Sequence, residues 1–428
     1  MLHRLDLRGA PSDLHRLLPR PDLAGEGPLS EVRAILEDVR LRGDAALREH
    51  TRRLDHAELD ELAVPLAEAE AALERLDAGL REALVVARDR IEAFHRHRLG
   101  PQPPHEADGV RVETLEIPME RAGVYAPGGR AKYPSSVLMT AVPARVAGVG
   151  AVALCVPPGR DGRLPDELLA AAALAGVDEI YRVGGPQAIA AMAYGTESVP
   201  AVDVIVGPGS RYVSLAKQEV RSVVAVPAAF AGPSEVVVVA DGTAPAAAAA
   251  IDLVVQAEHG PDGLSWLVTW SPGALEEIDE LVARYTAESP RRAEIESTLH
   301  EGGYAVLVEG PAQAMAVSNE IAPEHLELVC AEPEKLVGLV RHAGAVFVGP
   351  YAPASLGDYV AGPSHVLPTF GSARFSSALG VEDFLRRVHV IGASREGLAR
   401  LARHVAAIAN AEGLAAHARS VILREELS

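Results

Sequence analysis

Four short strings in this chain contain residue types suited to metal binding or proton transfer. In QAEHGPD (256–262), Gln256 and His259 stand three residues apart near the end of a stretch with helical character. Side chains at that spacing share a helix face and can point at one object. Imidazole suits zinc, and a glutamine carbonyl oxygen is a weak further ligand. Taken alone, the string also fits a histidine that answers the dipole at a helix C-terminus. In APEHLEL (322–328), Glu324 and His325 are adjacent and follow a proline. Histidine accepts and returns protons near neutral pH, and a neighbouring carboxylate can activate water or hold the ring. The plainer alternative is a solvated acid beside a partly buried histidine. SLGDYVAGPSHVLPT (355–369) carries Asp358 and His365 in a long glycine- and proline-punctuated segment. Long loops inside compact domains are disproportionately functional. AEGLAAH (411–417) holds Glu412 and His417, and by itself describes a solvated helix face. Pooled, the strings supply Gln, His, Asp and a second His, an acceptable zinc set, but spacing this non-local does not establish it. Cys155 is a rival: aldehyde oxidation can run through a thiolate adduct. A buried small hydrophobe is the more ordinary reading of that cysteine.

Glycine turns follow several apolar runs. Gly184-Gly185-Pro186-Gln187 follows EIYRV, Gly207-Pro208-Gly209-Ser210 follows AVDVIV, and Pro127-Gly128-Gly129 follows AGVYA. Such turns can gather at the carboxyl ends of a parallel sheet, where ligands bind in open α/β folds. They also serve as ordinary loop punctuation. The GxGxxG fingerprint is missing: Gly148-Val149-Gly150 precedes a strand rather than following one, and residue 153 is Ala. No P-loop motif occurs.

The elements that must position these residues are legible as alternation. Val/Ile-rich runs at 151–156, 179–183, 201–206, 222–226, 234–240, 264–269, 304–308, 325–330 and 345–348 read as strands, several apolar throughout. Helical stretches at 165–175, 188–193, 244–258 and 272–287 separate them, which predicts parallel α/β layers. Nine candidate strands are many for one open sheet and predict two α/β units. Residues 29–99 read as charged helices, 111–118 as a half-exposed strand, and 397 onward as a helical tail. The alanine-rich tract 246–250 runs into Ile251, Leu253 and Val254 and reads as a tightly packed helix, alanine being the best helix former.

The chain has 428 residues, 48% of them hydrophobic, and 40 basic against 59 acidic residues give a net charge of −19. That charge disfavours nucleic acid and anionic membranes as partners but allows a nucleotide cofactor at a local anion site. Two cysteines form no disulfide framework. No signal-peptide core opens the chain, and the longest apolar run, 146–158, is too short and too broken to span a bilayer. A soluble cytoplasmic protein is expected.

Set in order, the motifs resemble the histidinol dehydrogenase family over residues 25–425. They are GVYAPGG with YPSSVLMTAVPARVAG (123–148), VGGPQAIAAMAYGTESVPAVDVIVGPG (183–209), AGPSEVVVVAD (231–241), DLVVQAEHGPD (252–262), NEIAPEHLEL (319–328) and GPYAPASLGDYVAGPSHVLPT (349–369). The resemblance implies two incomplete Rossmann-like α/β domains of the aldehyde-dehydrogenase-like superfamily. It also implies a homodimer whose terminal helical segments exchange. The expected division is an arm (1–20), a discontinuous first domain (21–121 and 235–378), a nucleotide-side domain (122–234) and a helical tail (379–428).

By the same resemblance, L-histidinol is oxidised through L-histidinaldehyde to L-histidine, with two NAD+ reduced and one zinc per subunit. Gln256, His259, Asp358 and His417 would be the zinc ligands, the last reaching into the partner's site. Glu324 and His325 would move protons. Ser234, His365 and Glu412 would join His325 and the zinc ligands around the substrate. Tyr125, Gln187 and Ser210 would meet NAD. Two positions depart from the family pattern: Ser210 and Ser364 stand where asparagine is usual, which weakens the forked amide contact expected at the nucleotide turn. A related zinc dehydrogenase of another amino alcohol or diol, and a catalytically silent nucleotide-binding dimer, are the alternatives. Retention of all the ligand and base residues speaks against the second.

Overall fold

The computed structural model describes residues 1–10, 13–19, 27–100, 103–128, 132–227, 234–260 and 263–425. Gly129 and the Pro261–Asp262 end of the QAEHGPD string lie outside these residues, as do residues 231–233 of the AGPSEVVVVAD motif.

Two parallel-rich sheets form the frame, as the alternation of strands and helices predicts. The first has six strands, all parallel, in the order 3–6, 303–307, 264–269, 235–240, 325–329, 345–348. Its centre is buried on both faces: every residue of Glu235–Ala240, Leu264–Thr269 and His325–Val329 is buried. That accounts for the unbroken apolar runs in the sequence. The second sheet has five strands in the order 63–64, 179–181, 151–155, 121–125, 204–206, parallel except at the first. A third, antiparallel sheet joins 385–393, 110–118 and 105–107.

Several expectations change in the folded chain. Residues 1–7 are not a free arm: His3–Asp6 is an edge strand against Tyr304–Leu307, and Asp279 receives both the amino terminus and the Leu2 N–H. The helices between 27 and 98 pack chiefly against the five-stranded sheet rather than the six-stranded sheet of residues 235–348. Val32, Leu36, Leu47, Ala72 and Leu84 are buried in the two hydrophobic clusters that flank the five-stranded sheet. Sequence adjacency could not reveal this, because an amphipathic helix records that it has a buried face but not which sheet covers it. The run 222–226 begins at the end of the 3-10 turn Val220–Ser222 and makes a single bridge, Ala225 to Val204, rather than a strand. The segment after 379 is only partly helical, since Leu385–Ala393 is a long strand before the helices Arg395–Ala411 and Ala415–Glu425. Among the described residues no helix is long and apolar enough to cross a membrane.

Candidate active site between two sheet edges

Glu324 and His325 enter the six-stranded sheet at the start of the strand His325–Val329. The helix Pro311–Ile321 ends on Ala322, which takes a left-handed conformation (φ 55°) and turns the chain into Pro323 and the strand. Glu235, first residue of the neighbouring strand, lies in register one residue off His325. Its N–H donates to Glu324 Oε2 at 3.0 Å, and its carbonyl accepts from His325 Nδ1 at 3.2 Å. A carbonyl can only accept, so Nδ1 carries the hydrogen and Nε2 is left to exchange protons. The Ser234 hydroxyl is a further donor to Glu324.

His325 Nε2 faces Asp358 Oδ1 at 3.6 Å, while Nδ1 is 3.6 Å from Glu324 Oε2. The three groups form one electrostatic unit. Burial lowers the affinity of the His325 ring for a proton, but Glu324 and Asp358 outweigh it and push its pKa up to about 9. Burial pushes the Glu324 carboxyl up to about 7 against the opposing pull of His325 and the Glu235 N–H. Glu324 and Asp358 thus raise the basicity of the His325 ring, and Nε2 is the nitrogen free to take a proton. Asp358 lies in the short helix Ala354–Tyr359, and its carboxylate is held below its usual range: burial acts upward, and His325, His365 and His259 prevail.

Gln256 is buried at the end of the helix Ala246–Ala257, with Nε2 lacking any hydrogen-bond partner. His259 is exposed just beyond that helix. His365 donates from Nδ1 to the Asp358 carbonyl at 2.9 Å and accepts from the Ser136 hydroxyl at 3.2 Å, and burial lowers its pKa. Ser364 donates to the Met139 carbonyl at 3.0 Å. Ser136 and Met139 belong to the helix Pro134–Ala147, which follows the strand Arg121–Tyr125 of the other sheet. Loop 360–369 therefore ties the amino-terminal edge of one sheet to the carboxyl-terminal edge of its neighbour.

At that second edge the glycine turns do gather. The Gly185 N–H donates to the Tyr125 hydroxyl at 3.2 Å. Gly207 (φ 108°) passes so close to the Tyr125 carbonyl that a Cβ would collide with it, so only glycine fits. Gln187 is fully buried on the helix Gly185–Tyr194, with Nε2 3.5 Å from Asp55 and Oε1 unpartnered. Ser210 is exposed at the start of the helix Arg211–Glu219 and makes no side-chain capping bond. Buried Lys217 on that helix donates to the Gly207 carbonyl and so steadies the turn, and burial pushes its pKa down to about 7. Cys155 is buried, and its thiol is pushed up to about 12, which removes it as a nucleophile.

Glu412 and His417 stand apart. Both are exposed, in or beside the C-terminal helices, and among the described residues nothing joins them to the Glu324–His325–Asp358 group. Nor do three His, Cys, Asp or Glu side chains of the described residues gather as a metal-holding group. The residues missed in the sequence are Glu235, Glu327, Ser136 and Lys217. For Glu235 and Glu327 the signal was present: a lone acid inside an apolar strand must find a partner when buried.

A buried acid–base pair at the end of one parallel sheet, tied by the loop 360–369 to the glycine-turn end of another, is the architecture of an α/β enzyme that uses a nucleotide cofactor. The histidinol dehydrogenase family model matches residues 19–425, and the chain belongs to that family. It is 48% identical to the histidinol dehydrogenase of Moorella thermoacetica, covering 94% of this chain and 96% of the relative. With the Pseudomonas aeruginosa enzyme it shares 46%, over 96% and 94%. The crystal structure of histidinol dehydrogenase from Elizabethkingia anophelis superposes with a TM-score of 0.95 at 34% identity, covering 99% of this chain and 98% of that one.

Proposed function

We propose that this chain oxidises L-histidinol to L-histidine through L-histidinaldehyde, in the last step of histidine biosynthesis. Each turnover consumes one alcohol, two NAD+ and one water, and yields one carboxylate, two NADH and three protons. The observation that carries the reading is the buried Glu324–His325 pair, with one ring nitrogen pinned on Glu235 and the other facing Asp358.

Zinc would be held by Gln256, His259 and Asp358, with His417 of the partner subunit as fourth ligand. The donor set suits that ion, and the Asp358 carboxylate, held below its usual range by His325, His365 and His259, agrees with it. Bound zinc supplies orientation of the imidazole and amine of the substrate, and NAD+ supplies the hydride acceptor. His325 takes the alcohol proton on Nε2 in the first oxidation. Glu324 takes a proton from the water that adds to the aldehyde, and His325 acts again on the hydrate. Ser234 orients Glu324, and His365 and Glu412 would complete the substrate pocket. Tyr125, Gln187 and the turn at Ser210 would receive the nucleotide.

A homodimer with exchanged tails accounts for what one chain leaves open. His417 and Glu412 are exposed, and Val388, Val390 and Ile391 on the outer strand and Ile408 and Leu423 on the last helices present apolar side chains to solvent. The test is NADH release from L-histidinol. Two NADH per substrate, abolished by a strong chelator and restored by zinc, is the expected result. One NADH with free aldehyde accumulating, or indifference to the chelator, refutes the assignment.

A further inference from the structure

The short helix that carries Asp358, Ala354–Tyr359, meets the six-stranded sheet at two points. At its first residue, the Ala354 N–H donates to Glu327 Oε1 at 2.7 Å. That N–H has no partner within the helix, and Glu327 is buried in the strand His325–Val329, where a carboxyl group needs a donor. Further along, Gly357 lies on the ring of Phe347, which belongs to the edge strand Ala345–Val348. A Cβ on residue 357 would stand 2.7 Å from both Cε1 and Cζ of that ring. Glycine is a poor helix former beside alanine, and Gly357 is not left-handed, so its backbone does not demand glycine. The ring does.

Both contacts come from one face of the sheet. Glu327 and Phe347 are register partners on adjacent parallel strands. His325, two residues before Glu327, points to the same side. The Phe347 and His325 rings lie 5.9 Å apart, centroid to centroid, at 42°. Asp358, next to Gly357, brings Oδ1 to 3.6 Å from His325 Nε2. The contacts close a circuit: His325 to Phe347, Phe347 to Gly357, and Asp358 back to His325, with Glu327 holding the start of the helix. Six residues have too little internal bonding to fix a helix by themselves, so its placement comes from what it packs on.

We propose that Glu327 and Phe347 are positioning residues that together seat the helix Ala354–Tyr359 and hold Asp358 against His325, with glycine at 357 to admit the ring. This assignment rests on the ligand and base roles given above. Gly357→Ala should harm the site although alanine is the better helix former. Phe347→Leu removes Cε1 and Cζ, so it should make room for the added methyl group. Glu327→Gln keeps Oε1 as an acceptor for Ala354, and Glu327→Met removes it.

The experiment follows zinc transfer from the full-length holoenzyme to a chelating dye, with KM for L-histidinol and for NAD+ measured on the same samples. Gly357→Ala is expected to lose zinc about tenfold faster and raise the histidinol KM about tenfold, leaving the NAD+ KM within about twofold. Phe347→Leu alone should change zinc loss and the histidinol KM by about threefold, and the Gly357→Ala/Phe347→Leu double variant should stay within about twofold of Phe347→Leu. Parental zinc release and histidinol KM in Gly357→Ala overturn the proposal. So does a double variant whose defects multiply to about thirtyfold, or an NAD+ KM that rises as far as the histidinol KM. Should Gly357→Ala not fold, Glu327 decides: zinc loss about tenfold faster in Glu327→Met but within about threefold of the parent in Glu327→Gln supports the seat. Equal rates in those two variants refute it. Asp358→Ala keeps the two ideas apart, since full zinc retention there refutes the ligand assignment itself.

Discussion

His325 owes its character to three neighbours, none of which is unusual alone. The Glu235 carbonyl fixes the tautomer, Glu324 and Asp358 raise the basicity of the ring, and burial keeps water from competing for either nitrogen. Replacing it by asparagine keeps a donor toward Glu235 and removes the base. His325→Asn is expected to lower kcat by about 100-fold or more, with zinc content by metal analysis unchanged. Zinc and activity falling together would instead make His325 part of the metal site. Cys155→Ala provides the contrasting control, since a thiol pushed up to about 12 holds almost no thiolate. It should leave kcat within about twofold, and a collapse of kcat in that variant would revive the thiolate route.

At the scale of elements, the helix Ala78–Arg98 packs behind the loop that carries Asp358 and His365. Gly362 lies against Phe94, and Arg90 donates to the Val360 carbonyl. His95 on this helix is buried with neither ring nitrogen partnered, and burial holds its pKa down to about 4. The unfolded chain would bind a proton near pH 6.5, so the folded state binds fewer protons between about 6.5 and 4. Stability contributed by the neutral ring is present above pH 6.5 and is lost as pH falls toward 4. By linkage that loss amounts to about 3 kcal/mol at pH 4. His95→Phe should flatten this part of the curve of denaturant-derived stability against pH. A variant that follows the parent curve between pH 6.5 and 4 would show that His95 is not the acid-sensitive group.

For the whole molecule, the decisive feature is that the two sheets meet edge to edge while the last two helices, Arg395–Ala411 and Ala415–Glu425, pack chiefly on one another. Exposed His417 and Glu412, beside uncovered apolar residues, make sense when the tail completes a second subunit. Subunit mixing tests this directly. His259→Ala and His417→Ala chains should each be inactive. Refolded together, they should regain about a quarter of the parent activity, because half the dimers are mixed and one of their two sites is intact. No recovery in mixtures that demonstrably exchange subunits would place His417 in its own chain's site.

The sequence by itself determined which residue types meet at the site and most of the strands that hold them. The run 236–240 is apolar throughout because both faces of its strand are covered, and that is written locally. The Glu324–His325 pair, Asp358 and the glycine turns were legible as motifs. Partnership was not. Whether the helices of residues 27–98 cover one sheet or the other, and whether residues 3–6 pair with a strand three hundred residues away, are matters of long-range packing, which leaves no periodic trace in the chain. Only the tertiary structure decided that the amino-terminal edge of one sheet faces the carboxyl-terminal edge of the other. The contacts responsible, His365 to Ser136 and Ser364 to Met139, join residues more than two hundred positions apart.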